Sequence, residues 1–261
     1  MSTAEAKPSE VRAAIRDGAW TGPTAGACPG HLQANLAVLP HELAFEFLLF
    51  CQRNPKPCPL VAVTDPGDPH VDAGDGRADL RSDLPRYRVW RGGELVAEPT
   101  DLSEHWRADS VGFLLGCSHT FDDALSSAGI PVRHVEAGAS PAVYVTTVDC
   151  APAGPFRGPL VVSMRPVPGE LVERAVEVTG RYPLGHGSPV HIGDPSALGV
   201  RDLSTPDFGD PPQLRSGDVP VFWACGVTPQ LVIPGADPAY AMTHYIGHMF
   251  VFDHLSDVQL P

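Results

Sequence analysis

Proline and glycine interrupt this chain at every scale. The 29 prolines and 26 glycines are spread over 261 residues without a repeat period. Proline removes a backbone donor and fixes φ, and glycine loses the most conformational freedom on ordering, so neither favours long uninterrupted elements. The expectation is an α/β protein of short strands and helices whose long loops are shaped around a site. With 43% hydrophobic residues the chain can build a sizeable core, as one large domain or as two closely packed subdomains. Its 19% charged content is below the usual quarter, without the charge excess of a disordered chain.

The formal charge of −13 repels phosphate backbones, so nucleic acid is not an expected partner. An acidic substrate would need local positive groups to overcome that field. No segment approaches the ~18 consecutive apolar residues of a membrane helix. The stretch Met1 to Glu10 lacks the basic start and apolar run of a signal peptide. The cysteines, Cys28, Cys51, Cys58, Cys117, Cys150 and Cys225, are scattered singly with no Cys-x-x-Cys pair. Together these features predict a cytoplasmic protein with reduced thiols and a small-molecule substrate, without a membrane partner and compatible with a homo-oligomer.

The spacing predicts a helix from Ser9 to Gly18, then a second from Pro40 through Leu43, Phe45, Phe47, Leu48 and Leu49. The second is apolar nearly all round and is expected to be buried. Leu60 to Val63 reads as a short inner strand, and Asp65 to Asp79 as a loop. Gly92-Gly93, between Arg88 to Arg91 and Glu94 to Val96, is a hairpin signal. Val111 to Leu115 reads as an apolar strand ending in Gly116-Cys117-Ser118. Thr120 is a candidate cap for a helix closed by Gly129, with Asp123 completing a capping box, and Val132 begins another strand. A strand from Leu160 to Met164 precedes a helix from Pro168 to Gly180; Val219 to Ala224 and Met249 to Phe252 read as buried strands. No internal repeat is visible. Residues 1–20 are expected to form an N-terminal helix and arm, and 21–261 one unit of two interleaved α/β subdomains.

Five constellations could carry chemistry. His186-Gly187-Ser188-Pro189-Val190-His191-Ile192-Gly193-Asp194 places two imidazoles and a carboxylate on a stiffened loop. Imidazole exchanges protons near neutral pH and a carboxylate can fix its tautomer; the structural alternative is that both histidines only hold loop backbone. Thr243-His244-Tyr245-Ile246-Gly247-His248 offers a second pair. Histidines four apart on a helix can share a divalent metal, but Gly247 speaks against a helix. Gly116-Cys117-Ser118, between a strand and a helix, can aim backbone amides at an anion or lower a thiol pKa, or simply bury a small thiol. Cys225-Gly226-Val227-Thr228-Pro229-Gln230 ends another strand, and Thr228 and Gln230 could orient a substrate. Arg81, in Asp79-Leu80-Arg81-Ser82-Asp83, could clamp a carboxylate or belong to an ion-pair network.

The chain resembles the bacterial hydro-lyase family grouped with D-glutamate cyclase, from about Gly22 to Asp253. The resemblance rests on Gln33-Ala34-Asn35-Leu36, Phe50-Cys51-Gln52-Arg53-Asn54-Pro55-Lys56-Pro57-Cys58-Pro59 and Arg81-Ser82-Asp83-Leu84-Pro85-Arg86-Tyr87. Further marks are Gly116-Cys117-Ser118, Gly129-Ile130-Pro131-Val132-Arg133-His134 and Val161-Val162-Ser163-Met164-Arg165-Pro166. The run from His186 to Pro195, Phe222 to Gln230, and Thr243-His244 with Gly247-His248-Met249 complete it. It implies a three-layer mixed-sheet portion with a second, smaller two-layer α+β portion, and removal of water from a small carboxylic or amino acid. The chain departs from the family pattern where Val145 and Ala151 stand for arginines, Thr147 for asparagine, His31 for tyrosine, His119 for an apolar residue and Tyr245-Ile246 for Ala-Pro. If those arginines grip a substrate carboxylate, the substrate here is altered.

Both dehydration of a hydroxy acid and closure of glutamate to its lactam need a proton shuttle and a site for a developing oxyanion. The expected proton-transfer groups are His186, His191, His244 and His248, with Asp194 orienting one of them. Ser118 and nearby backbone would bind the carboxylate, and Cys117 and Cys225 would contact substrate. A thiol-dependent hydrolase or amidase, and a binding protein without turnover, are the alternatives from other classes.

Overall fold

The computed structural model describes residues 6–257. The chain begins with helix α1 (Pro8–Arg16), started by proline in its first turn. Strand β1 (His31–Pro40) leads directly into helix α2 (His41–Arg53), and short strands β2 (Leu60–Val63), β3 (His70–Asp72) and β4 (Arg77–Asp79) follow. The hairpin of β5 (Tyr87–Arg91) and β6 (Glu94–Ala97) turns at Gly92-Gly93, both at positive φ as a two-residue turn requires. Next come β7 (Ser110–Gly116), α3 (His119–Ser127), α4 (Arg133–Glu136) and β8 (Ala142–Asp149). The remainder is β9 (Pro159–Pro168), α5 (Val172–Gly180), β10 (His191–Ile192), β11 (Asp218–Ala224), α6 (Val227–Gly235), β12 (Ala241–His244) and β13 (Phe250–Leu255). No described helix is long and apolar enough to cross a membrane.

The first sheet has the order β2-β7-β1-β12-β5-β6, with β13 continuing beside β1 where β12 leaves it. Its central strand β1 is buried almost throughout. Leu32, Ala34, Leu36 and Val38 enter one apolar core, and Ala37 and Leu39 enter another beneath α2. That alternation is the strand's two-residue period acting inside a sheet covered on both faces. The second sheet has the order β10-β11-β9-β8, with α3 and α5 packed over Val167, Val221 and Trp223. The protein is therefore of the mixed helix-and-strand class, but the pairings are antiparallel in both sheets rather than mixed. β1 and β2, joined through α2, run the same way with β7 inserted between them. Strand–helix–strand order in the sequence signals a crossover but cannot announce an inserted strand.

The topology contains an internal repeat. In the first half β1–α2–β2 receives β7 between its strands; in the second β9–α5–β10 receives β11 in the same place. The registers coincide: Ala34 pairs Gly116 in one half, and Val162 pairs Ala224 in the other. One residue before each of these β-residues, a backbone amide donates to a threonine four residues beyond the partner: Gln33 N to Thr120 Oγ1 (3.4 Å) and Val161 N to Thr228 Oγ1 (3.0 Å). Each half then lends strands to the other, β8 pairing β9 and both β12 and β13 pairing β1, as in a strand-exchanged dimer joined into one chain. The trace left in the sequence is slight: Pro40-His41-Glu42-Leu43 against Pro168-Gly169-Glu170-Leu171, and Cys117 to Thr120 against Cys225 to Thr228.

Several local expectations are corrected. α2 buries only Phe47, Phe50 and Cys51; Phe45 is 71% exposed, so the helix covers one face of the sheet and shows apolar surface outward. β2 is an edge strand and not an inner one. Val132 opens the short helix α4, the next strand starting at Ala142. The segment after Cys225 is helix α6 despite Pro229 and Pro234. Thr120 does not cap α3: its hydroxyl accepts from Gln33, and Asp123 accepts from Gly30 N at 2.9 Å.

Candidate active site

The two halves meet around a cavity of about 140 Å³. Equivalent positions of the repeat line it in pairs: Asn35 on β1 with Ser163 on β9, Cys117 with Cys225, Ser118 with Gly226, and His119 with Val227. Val143, Phe208, Ile246 and Met249 supply the apolar part of the wall. Helices α3 and α6 both begin at this cavity, and neither N-cap residue, Ser118 or Gly226, caps its helix with a side chain. The positive ends of two helices face the space, which favours an anionic ligand, although the first-turn amides are already engaged: those of Thr120 and Thr228 donate to the Cys117 and Cys225 carbonyls, that of Phe121 to Ser118 O, and the His119 and Val227 amides face the two thiols. Gly226 is required there: a Cβ would lie 2.1 Å from Asn35 Nδ2, whose carboxamide donates to Gly116 O (2.8 Å) and Leu115 O (3.2 Å).

Behind the cavity lies a buried charge cluster. Arg165, 2% exposed on β9, donates from Nε to Asp122 Oδ1 (2.8 Å), from one terminal nitrogen to Ser163 Oγ (3.0 Å) and from the other to Ser118 Oγ (3.2 Å). Both serine oxygens are thereby occupied as acceptors, leaving each hydroxyl hydrogen free to donate. Phe121 and Trp223 pack their rings on the guanidinium. Burial pushes the Asp122 carboxyl upward, but Arg165, with His119 and His134, outweighs it and holds the group well below the ordinary carboxylate range. His119 Nδ1 and His134 Nε2 each lie 3.4 Å from Asp122 Oδ2. An imidazole and a carboxylate stand side by side in the cavity wall as His119 and Asp122, close but without hydrogen-bond geometry.

Of the residues singled out from the sequence, Cys117, Ser118, Cys225 and His244 line the cavity. Burial pushes the thiols up, to about 12 for Cys117 and about 11 for Cys225, although the amides of His119 and Val227 and the charge of Arg165 oppose it. His244 is neutral: burial lowers its pKa to about 4. Its Nδ1 donates to Leu36 O (3.2 Å), so Nε2 is the unprotonated nitrogen and accepts from the Gln230 carboxamide nitrogen at 2.9 Å. With both nitrogens engaged, His244 serves as a fixed wall. Gln230 reaches it from behind, and Thr228 is spent on β9.

The remaining candidates lie elsewhere. His186 is buried with Nδ1 donating to Lys56 O (2.6 Å); burial lowers its pKa to about 4, and it senses Arg165 and His119 without lining the cavity. His191 sits on the edge strand β10, bonded to the Asp194 backbone carbonyl (2.7 Å), while the Asp194 carboxylate holds Ser196 instead of an imidazole. His248 bonds Ile246 O (3.1 Å) and does not line the cavity. Arg81 forms a two-pronged pair with Asp79. Val145, Thr147 and Ala151 do not line the cavity. Among the described residues no three His, Cys, Asp or Glu side chains converge as metal ligands would. Sequence reasoning passed over Asn35, His119, Asp122, Ser163 and Arg165. The available signal was a polar residue inside a run that must be buried on both faces, as in Ala34-Asn35-Leu36 and Val162-Ser163-Met164-Arg165.

Fold and cavity define an α+β protein with a partly open cavity between two pseudosymmetric halves. Residues 111–253 match the family model described as D-glutamate cyclase. Relatives carrying the name "putative hydro-lyase" align nearly end to end. One from Bacillus licheniformis is 57% identical over 97% of this chain and 97% of its own. One from Bordetella petrii is 54% identical over 94% and 93%, and one from Geobacillus kaustophilus 56% over 96% and 95%. A solved nitrogen repressor-like protein of Methanococcus jannaschii aligns over 96% of this chain and 97% of its own at 9% identity and a TM-score of 0.43, a likeness too slight to bear on fold or function. The chain belongs to the D-glutamate cyclase family.

Proposed function

We propose that this protein is a lyase that removes water from a small carboxylic or amino acid held in the cavity between its halves, in the manner of a D-glutamate cyclase. The observation that carries this reading is the pair of serine hydroxyls, Ser118 and Ser163, fixed by one buried arginine with their hydrogens directed away from it. Beside the two helix N-termini they form a preorganised set of donors for a carboxylate or a developing oxyanion. The substrate carboxylate binds these donors; His119, beside the Asp122 carboxylate, moves the proton that water loss requires. For lactam closure the amine attacks the side-chain carboxyl, the donors hold the tetrahedral oxyanion, and His119 protonates the departing oxygen. The apolar wall from Val143, Phe208 and Met249 limits bulk water and strengthens each of these interactions.

The test is to incubate the purified, metal-analysed protein with D-glutamate and a panel of small 2-hydroxy acids and to search for products lighter by one water. Appearance of such a product, abolished by substitution of His119, is the expected result. A folded protein with any detected metal restored that yields none of them would overturn the reading.

A further inference from the structure

The repeat places Cys117 and Cys225 at equivalent strand ends on the two halves, and both thiols line the one cavity. They are close enough that ionisation of Cys225 opposes that of Cys117. Their surroundings also match: each thiol faces the amide two residues on, at the first residue of a nine-residue helix, and each feels Arg165. Loss of water does not need two identical acid–base groups, one contributed by each half. Inversion at a carbon makes use of such a pair, one group taking a proton from one face while its counterpart supplies a proton to the other, and identical groups suit a reaction that runs both ways.

We infer that Cys117 and Cys225 form an acid–base pair that exchanges and inverts the α-hydrogen of a 2-amino or 2-hydroxy carboxylic acid bound in this cavity. The inference rests on the proposed reading only in taking the same ligand class and the same carboxylate donors. In one direction Cys117 is the thiolate. It takes the α-proton, and the C–H electron pair passes into the carboxylate as an enediolate held by Ser118 and Ser163 between the positive ends of the two helices. The Cys225 S–H bond then breaks as its proton forms a new C–H bond on the opposite face. Cys117 ends as thiol and Cys225 as thiolate, with no net oxidation or reduction. The reverse direction begins from the state thus left, and the two halves exchange roles.

Burial keeps most of both thiols protonated at neutral pH. The charged groups facing them are Arg165, which favours ionisation of both, and Asp122 with the opposite thiol, which disfavour it at Cys117. Exchange should therefore speed up about tenfold per pH unit through pH 7 to 9, as the thiolate fraction rises.

The full-length protein is placed in D₂O with D-glutamate, L-glutamate and each enantiomer of 2-hydroxyglutarate. Proton NMR follows the α-hydrogen and chiral chromatography follows configuration. The expected result is loss of the α-hydrogen signal with formation of the singly deuterated opposite enantiomer, reduced at least about 10²-fold by either C117A or C225A. The serine variants C117S and C225S, matched to wild type in circular dichroism and thermal unfolding, guard against a packing defect. Water-loss products without α-deuteration would overturn the inference and leave the lyase reading standing. Deuteration without water loss would do the reverse. Absence of deuteration, or deuteration as fast in both variants as in wild type, removes the thiol pair from the chemistry.

Discussion

At the residue scale the cavity is organised by a cation that never meets solvent. Arg165 spends its donors on Asp122, Ser118 and Ser163, so its effect on a ligand is transmitted through two hydroxyls. Substituting Ser163 by alanine should leave folding intact and lower kcat/KM by roughly 10²–10³, the loss typical of one oxyanion donor; steady-state kinetics beside a thermal melt checks this. Removing Arg165 itself is different. It strands the buried Asp122 carboxylate, and R165A should destabilise the protein by about 3–5 kcal/mol in urea unfolding. H191N, by contrast, should turn over like wild type, because His191 bonds its own loop, packs on Phe222 and does not line the cavity. A kinetic loss of more than tenfold in H191N would place it back in the chemistry.

At the element scale the strand ends matter more than the helices that follow them. Gly116 ends β7 where the backbone of Leu184 crosses; a Cβ there would lie 1.6 Å from Leu184 O. A backbone carbonyl cannot swing aside like a side-chain tip, so G116A should cost at least about 3 kcal/mol. On the outer face of α2 the reverse holds. Phe45 is 71% exposed, and F45S should change stability by no more than about 0.5 kcal/mol. Denaturant midpoints of the two variants, compared at equal m-value, decide both expectations.

At the scale of the whole molecule, two neutral buried histidines make stability depend on acid. His186 and His244 have pKa values lowered to about 4, against an ordinary 6.5. Between those values the unfolded chain binds protons that the folded one refuses, so stability falls with falling pH across that window. The contribution is complete above about pH 6.5 and lost progressively down to about 4, at most about 3 kcal/mol per histidine. Urea unfolding at intervals from pH 7 to 4 should show this slope. A His186→Gln variant should flatten it by about half; an unchanged slope would show that His186 is protonated in the native state.

The local character of the chain was written in its sequence. The hairpin at Gly92-Gly93, the apolar strand before Gly116, the helix ending at Gly180 (which begins at Val172 because Pro168 still belongs to β9) and the two Cys-bearing strand ends all follow from turn chemistry and hydrophobic runs, which act over a few residues. The family follows from long strings of residues in fixed order. The pairing of β1 with β7, the insertion of β7 between β1 and β2, and the exchange of β8 and β12 between halves join residues far apart in the chain. No local preference encodes them. The same distance hid the site. The loop histidines His186 and His191 looked chemical because they stand near a carboxylate in sequence, yet the imidazole that meets a carboxylate in the cavity wall is His119. Its neighbours Ser163 and Arg165 arrive from the other half, where only the tertiary fold, by burying a charge that must then be neutralised, could bring them.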